Sequence, residues 1–405
     1  MINCRICKGK LKKIVDLGKI ALVGDFIKKL KKQKKYKISI NFCSICKHVQ
    51  IAEILNPNLL FKKYLWETGV SSSNILLIKD LIKKIKKYGI NKNSKILEIA
   101  SNDGSLLSFI NKEYKCLSVG IDPAKNLKKK IKNKKIITIV NYFDFNQSKN
   151  IKKKFKIFDY IFARNVLAHV PDPNQIFKGV KNLLSENGKF ILEVPHLDNI
   201  IRYNQYDNIF HEHIGFHSLK SIIDLTNRYN LKVFDVEKID SQGGSLRCFI
   251  SNKNSSDKIS NEIKSVIKEE KKLGLYSPTK LMKFRIKIIS HIRKLKKLLQ
   301  NLKKKNNKIS IYGASGKGQA LMQFCNINNK IVDFAFDKSK LKQGCLTPGT
   351  QIKVKDPKDI KKTDIQYLLL LSWNLKKEII KQEKNFIKKG GKFIVPFPSP
   401  KIIKK

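Results

Sequence analysis

Four of the eight cysteines fall in two Cys-x-x-Cys knuckles, Cys4/Cys7 and Cys43/Cys46. That spacing lets four thiolates close a tetrahedral zinc site, and in a cytosolic chain it favours metal over disulfide. The knuckles bracket a segment too short for a large core. Zinc is therefore expected to be structural and to supply much of the local folding free energy. Cys116, Cys248, Cys325 and Cys345 are scattered and read as small apolar residues.

A second constellation is Leu97-Glu98-Ile99-Ala100-Ser101-Asn102-Asp103-Gly104, an apolar strand running into an acidic, glycine-containing turn. Doubly wound sheets open their nucleotide pockets this way. Gly104 would let a ligand approach the backbone, Asp103 would take an ammonium group, and Glu98, Ser101 and Asn102 would line the same edge. Asp122 ends the next strand about 20 residues on, where an acid can accept from both ribose hydroxyls. The three-glycine fingerprint of dinucleotide binders is missing. S-adenosylmethionine, with no pyrophosphate to cradle, fits this turn better than NAD.

The histidines are few and concentrated. Of seven, four fall between His196 and His217, and His169 ends the run Asn165-Val166-Leu167-Ala168-His169. Imidazole is the side chain best suited to remove a proton near neutral pH, given a partner that fixes its tautomer. His211 and His213 are two residues apart, whereas a zincin helix needs four, so a metalloprotease reading is poor. For any one of these histidines taken alone, a structural role is the better reading.

These residues require elements to hold them. Strands are expected at Ile96–Ile99, Leu117–Ile121, Ile136–Val140, Tyr160–Ala163, Phe190–Val194, Lys232–Val236 and Leu246–Ile250, with helices between them, as at Leu76–Lys87 and Pro173–Leu184. The last two strands follow one another without a helix and suit an antiparallel pair. A Lys-rich connector with Ile286, Ile289, Ile292, Leu295 and Leu299 at helical spacing precedes a second sheet, with strands at Ile309–Gly313, Ile331–Phe336, Ile365–Leu371 and Phe393–Val395. The fold class is α/β. Three units result: a zinc-binding domain over 1–60, a Rossmann-like domain over 61–254, and a connector plus a smaller Rossmann-like domain over 255–405.

Composition bounds the partners. The 405 residues, 41% hydrophobic with 22 Phe, suffice for several cores. The formal charge of +53 rests on 85 basic residues, of which seven are Arg. The lysines spread over every predicted helix flank, as an A- and T-rich genome would produce, so no specific nucleic-acid partner is expected. No apolar run approaches the roughly 18 to 20 residues that span a bilayer, and the first ten residues carry no signal-like apolar stretch. A cytoplasmic protein without a membrane partner is expected.

In this order the motifs resemble the three-domain S-adenosylmethionine-dependent C-methyltransferases that act on nucleotide-linked 4-keto-deoxysugars. The likeness runs through Cys43-Ser44-Ile45-Cys46-Lys47-His48-Val49-Gln50, the Glu98–Gly104 turn, Asn165–Asp172, Phe210-His211-Glu212-His213, Gly243-Gly244-Ser245-Leu246-Arg247 and Gly313–Gly318. It continues through Lys342-Gln343-Gly344, Pro348-Gly349-Thr350, Ser372-Trp373-Asn374-Leu375 and Val395-Pro396. The resemblance implies a class I methyltransferase sheet in the middle domain. It implies Glu212 and His213 as a catalytic pair with His213 the base, and His169 and Tyr64 as further catalytic residues. Asn165 joins the cofactor set. The family's tyrosine before His-Glu-His is Phe210 here, and Gln242 stands where a histidine often precedes Gly-Gly-Ser.

C-methylation needs a carbanion equivalent, because carbon has no lone pair. A base must remove the proton next to the ketone and a donor must hold the enolate oxygen. No catalytic metal is needed. The turn Gly313-Ala314-Ser315-Gly316-Lys317-Gly318 with Lys317, and Ser245 with Arg247, are candidates for the nucleotide phosphates of the small-molecule substrate; alternatively, the glycines only permit tight strand–helix packing. Oxygen or nitrogen methylation, which needs no such base, and noncatalytic binding of a sugar nucleotide remain open readings of the sequence.

Overall fold

The computed structural model describes residues 3–61, 67–131 and 133–403. Its strands are β1 (Leu11–Ala21), β2 (Lys35–Cys43), β3 (Val49–Ile51), β4 (Lys95–Ile99), β5 (Leu117–Ile121), β6 (Ile136–Ile139), β7 (Phe158–Arg164), β8 (Leu184–Pro195) and β9 (Gly215–Phe216). They continue as β10 (Leu231–Ile239), β11 (Ser245–Asn252), β12 (Ile309–Tyr312), β13 (Ala335–Phe336), β14 (Val354–Lys355), β15 (Tyr367–Leu370), β16 (Lys392–Val395) and β17 (Lys401–Ile403).

The middle sheet has the order β10-β11-β8-β7-β4-β5-β6. β4 pairs in parallel with β5 on one side and β7 on the other, while β11 runs antiparallel to both β8 and β10. This is the class I methyltransferase sheet, a parallel core with one reversed strand near its edge. The run Tyr160–Ala163 is apolar throughout and Ile96–Ile99 is interrupted only by Glu98, which suits strands covered on both faces, and the expected antiparallel pair is β10–β11. The chain leaves β4 toward β5 and returns through β7, so the strand order reverses between β4 and β7. Ligands bind outside the carboxyl ends of the strands at such a point.

The N-terminal sheet, β1-β2-β3-β9, was not foreseen. Its first three strands come from the cysteine-bearing segment, but β9 comes from the middle of the chain. Val49 pairs with Phe216 and Gln50 with Gly215, two residues after His213. The C-terminal sheet has the order β14-β13-β12-β15-β16-β17, with β12 parallel to β13 and β15. The expected strand Ile331–Phe336 shortens to Ala335–Phe336, because the amides of Ile331 and Val332 close a turn on the Asn328 carbonyl.

The connector is two helices, Asn261–Leu273 and Pro278–Lys304. Between them Gly274 takes φ +83°, and its amide meets the Glu270 and Lys271 carbonyls, which ends the first helix. Leu281, Phe284, Ile288, His291, Leu295, Leu299 and Leu302 form the buried face of the second. Ile286 and Ile289, expected on that face, are exposed. The buried stripe runs one step over and packs the helix against both the N-terminal and C-terminal sheets in one shared core. The cysteine knuckles join a second core with β4, β5, β7 and β8. Among the described residues, no helix is long and apolar enough to cross a membrane.

Candidate active site

The turn after β4 folds tightly, with positive φ at Ala100, Asn102 and Gly104. The Asn102 amide donates to Asp122 Oδ2 at 2.9 Å, and the Ala124 amide donates to Oδ1 at 2.8 Å. Asp103 accepts from the Gly69 amide at 2.7 Å and from Ser105 Oγ at 2.6 Å. Gly104 sits at φ +70°, and a Cβ there would lie 3.2 Å from the Ile131 side chain, so glycine is favoured here by φ and by tight space together. Burial pushes the Glu98 carboxyl up to about 8; Arg164 opposes this, and Asp103, Asp122 and Glu193 add to it. Burial also raises Asp122, against the Ala124 and Asn102 amides.

Three buried polar atoms at the carboxyl edge of β4 and β7, namely Glu98 Oε2, Ser101 Oγ and Asn165 Oδ1, have no hydrogen-bond partner among the described residues. Buried polar atoms are normally satisfied. Unpartnered polar atoms next to Asp103 and Asp122, at a strand-order reversal, fit a polar, cationic ligand such as S-adenosylmethionine. Asp122 would meet the ribose and the acidic turn the ammonium group.

The first histidine segment follows directly from the carboxyl end of β7. Asn165, at φ +54°, donates its amide to the Glu193 carbonyl and turns the chain into Leu167–His169. The Ile214 amide donates to the Ala168 carbonyl at 2.7 Å, which ties the two histidine segments together. The His169 and His213 rings lie 4.8 Å apart, nearly edge to face, and Phe210 packs on His213 at 4.2 Å. His213 Nδ1 is 2.9 Å from the Asn208 carbonyl oxygen, and His169 Nδ1 is 2.8 Å from that of Glu212. A carbonyl only accepts, so His213 carries its proton on Nδ1 and keeps a lone pair on Nε2. Burial holds His213 well below the ordinary imidazole value, with the nearby His169 and Lys317 adding. Burial brings His169 down to about 4 against the carbonyls of Glu212 and Asn165. Both rings are neutral at pH 7.

The expected pairing of His213 with Glu212 takes a different form. The Asn208 carbonyl sets the His213 tautomer, and among the described residues no hydrogen bond joins the Glu212 carboxylate to that ring. Burial pushes Glu212 up to about 7, opposed by Lys342. Its main-chain carbonyl orients His169. Tyr64 lies outside the described residues.

The C-terminal domain reaches the same place. A Cβ on Gly316 would lie 3.7 Å from the Phe210 ring. Lys317 is buried and donates to the Gln242 carbonyl at 2.5 Å; burial lowers it to about 8 against the charge of Asp207. Asp207 accepts from Trp373 Nε1 at 2.7 Å, and burial raises it to about 6. No sequence motif pointed to Asp207 or Asn208. Trp373 belonged to a quoted motif but carried no assigned role.

The glycine-rich turn divides between the two roles considered for it. Cβ atoms on Gly313 and Gly318 would collide with Ser372 and Leu371, so these glycines serve strand–helix packing. The Gly318 amide donates to Ser315 Oγ and the Ala314 amide to Asp337 Oδ2, which occupies two donors that a phosphate would need. The expected phosphate contacts Ser245 and Arg247 are structural. Arg247 has no exposed surface and donates to Glu193 at 2.7 Å, Asp80 at 2.7 Å and Glu237 at 3.2 Å. Ser245 Oγ donates to the Ser241 carbonyl.

The four knuckle sulfurs lie within 4.8 Å of one another, with Cys4–Cys46 at 3.5 Å and Cys7–Cys43 at 3.4 Å. Tetrahedral zinc with Zn–S bonds of about 2.3 Å separates its sulfurs by about 3.8 Å, so this cluster fits the metal.

Family models match three consecutive stretches of the chain: a "putative zinc binding domain" over residues 4–61, a "methyltransferase domain" over 74–236, and a "C-methyltransferase C-terminal domain" over 240–398. A relative, C-methyltransferase NovU of Streptomyces niveus, is 28% identical over 406 residues, covering 99% of this chain and 96% of that protein. Among solved structures, magnesium protoporphyrin IX methyltransferase from Synechocystis PCC 6803 with bound SAH aligns over 46% of this chain and 90% of its own, at 10% identity and TM-score 0.37. A SAM-dependent methyltransferase from Anabaena variabilis aligns over 42% of this chain and 83% of its own, at 13% identity and TM-score 0.36.

Proposed function

We propose that this S-adenosylmethionine-dependent C-methyltransferase acts on the carbon next to the ketone of a nucleotide-linked 4-keto-deoxysugar, with His213 as the base. The observation that carries this reading is the His213 ring itself. It is half-buried, its surroundings hold it neutral, and the Asn208 carbonyl orients it through Nδ1, which leaves the lone pair on Nε2. Methyl transfer to oxygen or nitrogen needs no base that removes a proton from carbon.

S-adenosylmethionine, when bound, supplies a methyl group already activated on sulfonium. The chain must then make the acceptor carbon nucleophilic and hold it in line. Nε2 of His213 takes the proton next to the ketone, and the resulting imidazolium is stabilised through its Nδ1–H bond to Asn208. Negative charge moves onto the ketone oxygen as the proton leaves. Lys317, a buried cation whose charge acts on His213, supports a role in holding that oxygen, alongside His169 and Tyr64. Phe210 closes the apolar side of the site against the His213 ring. Lys317 and Lys342, on the C-terminal domain, also support recognition of an anionic nucleotide. Glu98, Ser101, Asn102, Asp103, Gly104, Asp122 and Asn165 are the proposed cofactor residues. Four thiolates, from Cys4, Cys7, Cys43 and Cys46, would hold a zinc ion that supplies cross-linking and no step of the reaction.

The test is product analysis. Protein, methyl-labelled S-adenosylmethionine and a panel of nucleoside-diphosphate 4-keto sugars should give a labelled sugar whose new bond is to carbon. Label bound to oxygen or nitrogen, or no transfer to any member of the panel, would overturn the proposal.

A further inference from the structure

The zinc module and the proposed base are joined by one side chain that the reaction itself does not use. Arg5 lies between two knuckle residues, Cys4 and Cys7, and is buried. Its main chain is fixed on both sides: the amide donates to Gln50 Oε1 at 2.9 Å, and the carbonyl accepts from Asn174 Nδ2 at 2.7 Å. The guanidinium reaches into the seam between β3 and β9. Nη1 donates to the Ile214 carbonyl at 2.5 Å and Nη2 to the Ile51 carbonyl at 2.6 Å. Ile214 is the residue after His213. Its carbonyl also accepts from the Ile51 amide at 3.1 Å, and its amide donates to Ala168, the residue before His169.

Every main-chain polar group of Ile214 is therefore held, and its carbonyl is held from the zinc module. β9 has two residues and only two ladder pairs, too few to fix its own register. A planar fork with two donors in fixed geometry clamps both strands of such a seam, which a lysine cannot do. A zinc–thiolate centre with four cysteines is net negative and favours a guanidinium at its side.

We propose that Arg5 is a positioning residue for the reaction: it transmits the folded, metal-bound state of the knuckles to the His213 segment by clamping the Ile214 and Ile51 carbonyls. In this view, zinc sets the geometry of the active site from outside it. The proposal rests on the reading of His213 as base for its catalytic consequence, but the clamp itself does not.

The experiment uses the full-length, zinc-loaded protein with Arg5→Lys and Arg5→Met. Both variants should keep about one zinc per chain and bind S-adenosylmethionine as the wild type does, since the guanidinium donates to Ile214 and Ile51 and to no residue of the 98–105 turn. Amide hydrogen exchange should accelerate across 208–217 while the 98–105 amides stay protected. With the best acceptor from the sugar panel, kcat should fall about 10- to 100-fold, as for lost outer-shell partners of metal ligands, and Arg5→Lys should be less affected than Arg5→Met. Zinc removal with a chelator should raise exchange over the same segment. Unchanged protection of 208–217 in zinc-replete Arg5→Met would overturn the clamp, as would an equal loss of protection across the whole chain. If His213 is not the base, His213→Ala stays active while the exchange result for Arg5 still holds, so the two failures are distinguishable.

Discussion

His213 Nδ1 lies 2.9 Å from the main-chain carbonyl oxygen of Asn208, and this contact decides what the ring can do. A backbone carbonyl cannot change its protonation, so it fixes the tautomer at any pH where the fold survives. It also steadies the imidazolium that proton abstraction would create, with no second titrating group. The Glu212 carboxylate is thereby released from the role of partner, and its main chain orients His169 instead.

The pH dependence follows with definite signs. A base acts when neutral, and burial holds the His213 imidazole well below its ordinary value. The acid limb of kcat/KM should therefore lie below the ordinary histidine value of about 6.5. Lys317 acts as a cation and burial lowers it to about 8, so activity should decline as pH rises through that value. Lys317→Arg, which stays charged, should abolish the alkaline decline. A decline that persists in Lys317→Arg would assign it to another group.

Asp122 anchors the cofactor edge through two amide hydrogen bonds, from Asn102 and Ala124. Asp122→Ala removes the proposed ribose contact and loosens the turn together, so calorimetry should show a loss of about 1.5 to 3 kcal/mol in S-adenosylmethionine affinity. Wild-type affinity in this variant would place the ribose elsewhere.

Arg247 should behave as a stability residue. Its guanidinium neutralises Glu193 and Asp80 where it has no exposure of its own. Arg247→Met leaves Glu193 buried with one cation fewer and should cost about 3 to 5 kcal/mol in urea unfolding, with KM for the sugar unchanged. A raised KM at undiminished stability would restore the substrate role once expected of it.

Elemental analysis should find about one zinc per chain, and Cys43→Ser should lower it. Chelation should unfold the N-terminal sheet first, seen as lost amide protection over 3–51 before the middle sheet opens. A metal-free protein with that sheet intact would contradict a structural zinc.

Much of the fold was legible because its signals are local. The parallel strands are short, largely apolar runs, and the knuckles are a fixed spacing with one ready chemical meaning. The helix Pro278–Lys304 shows where this fails: isoleucine and lysine are so frequent that more than one apolar stripe can be traced, and the wrong one contained Ile286 and Ile289. Arg247 follows a Gly-Gly-Ser turn that invites a phosphate, but two of its carboxylate partners, Glu193 and Asp80, come from distant segments and the third, Glu237, from the facing strand. The Asn208 carbonyl had no signal at all, since every residue has one. Asp207 and Arg5 drew no notice because their significance lies in contacts between domains. β9 is two residues long, below what any periodicity can show.

The central claim is that His213 removes a proton from carbon, and one variant tests it most directly. Wild type, substrate and deuterated water, with S-adenosylhomocysteine in place of the methyl donor, should exchange the proton next to the ketone, and adding the methyl donor should give a carbon-methylated product. His213→Ala should lose exchange and methyl transfer together, by about 100- to 10,000-fold, while binding S-adenosylmethionine as the wild type does. Methyl transfer at the wild-type rate in His213→Ala would contradict the account and turn it toward an oxygen or nitrogen acceptor.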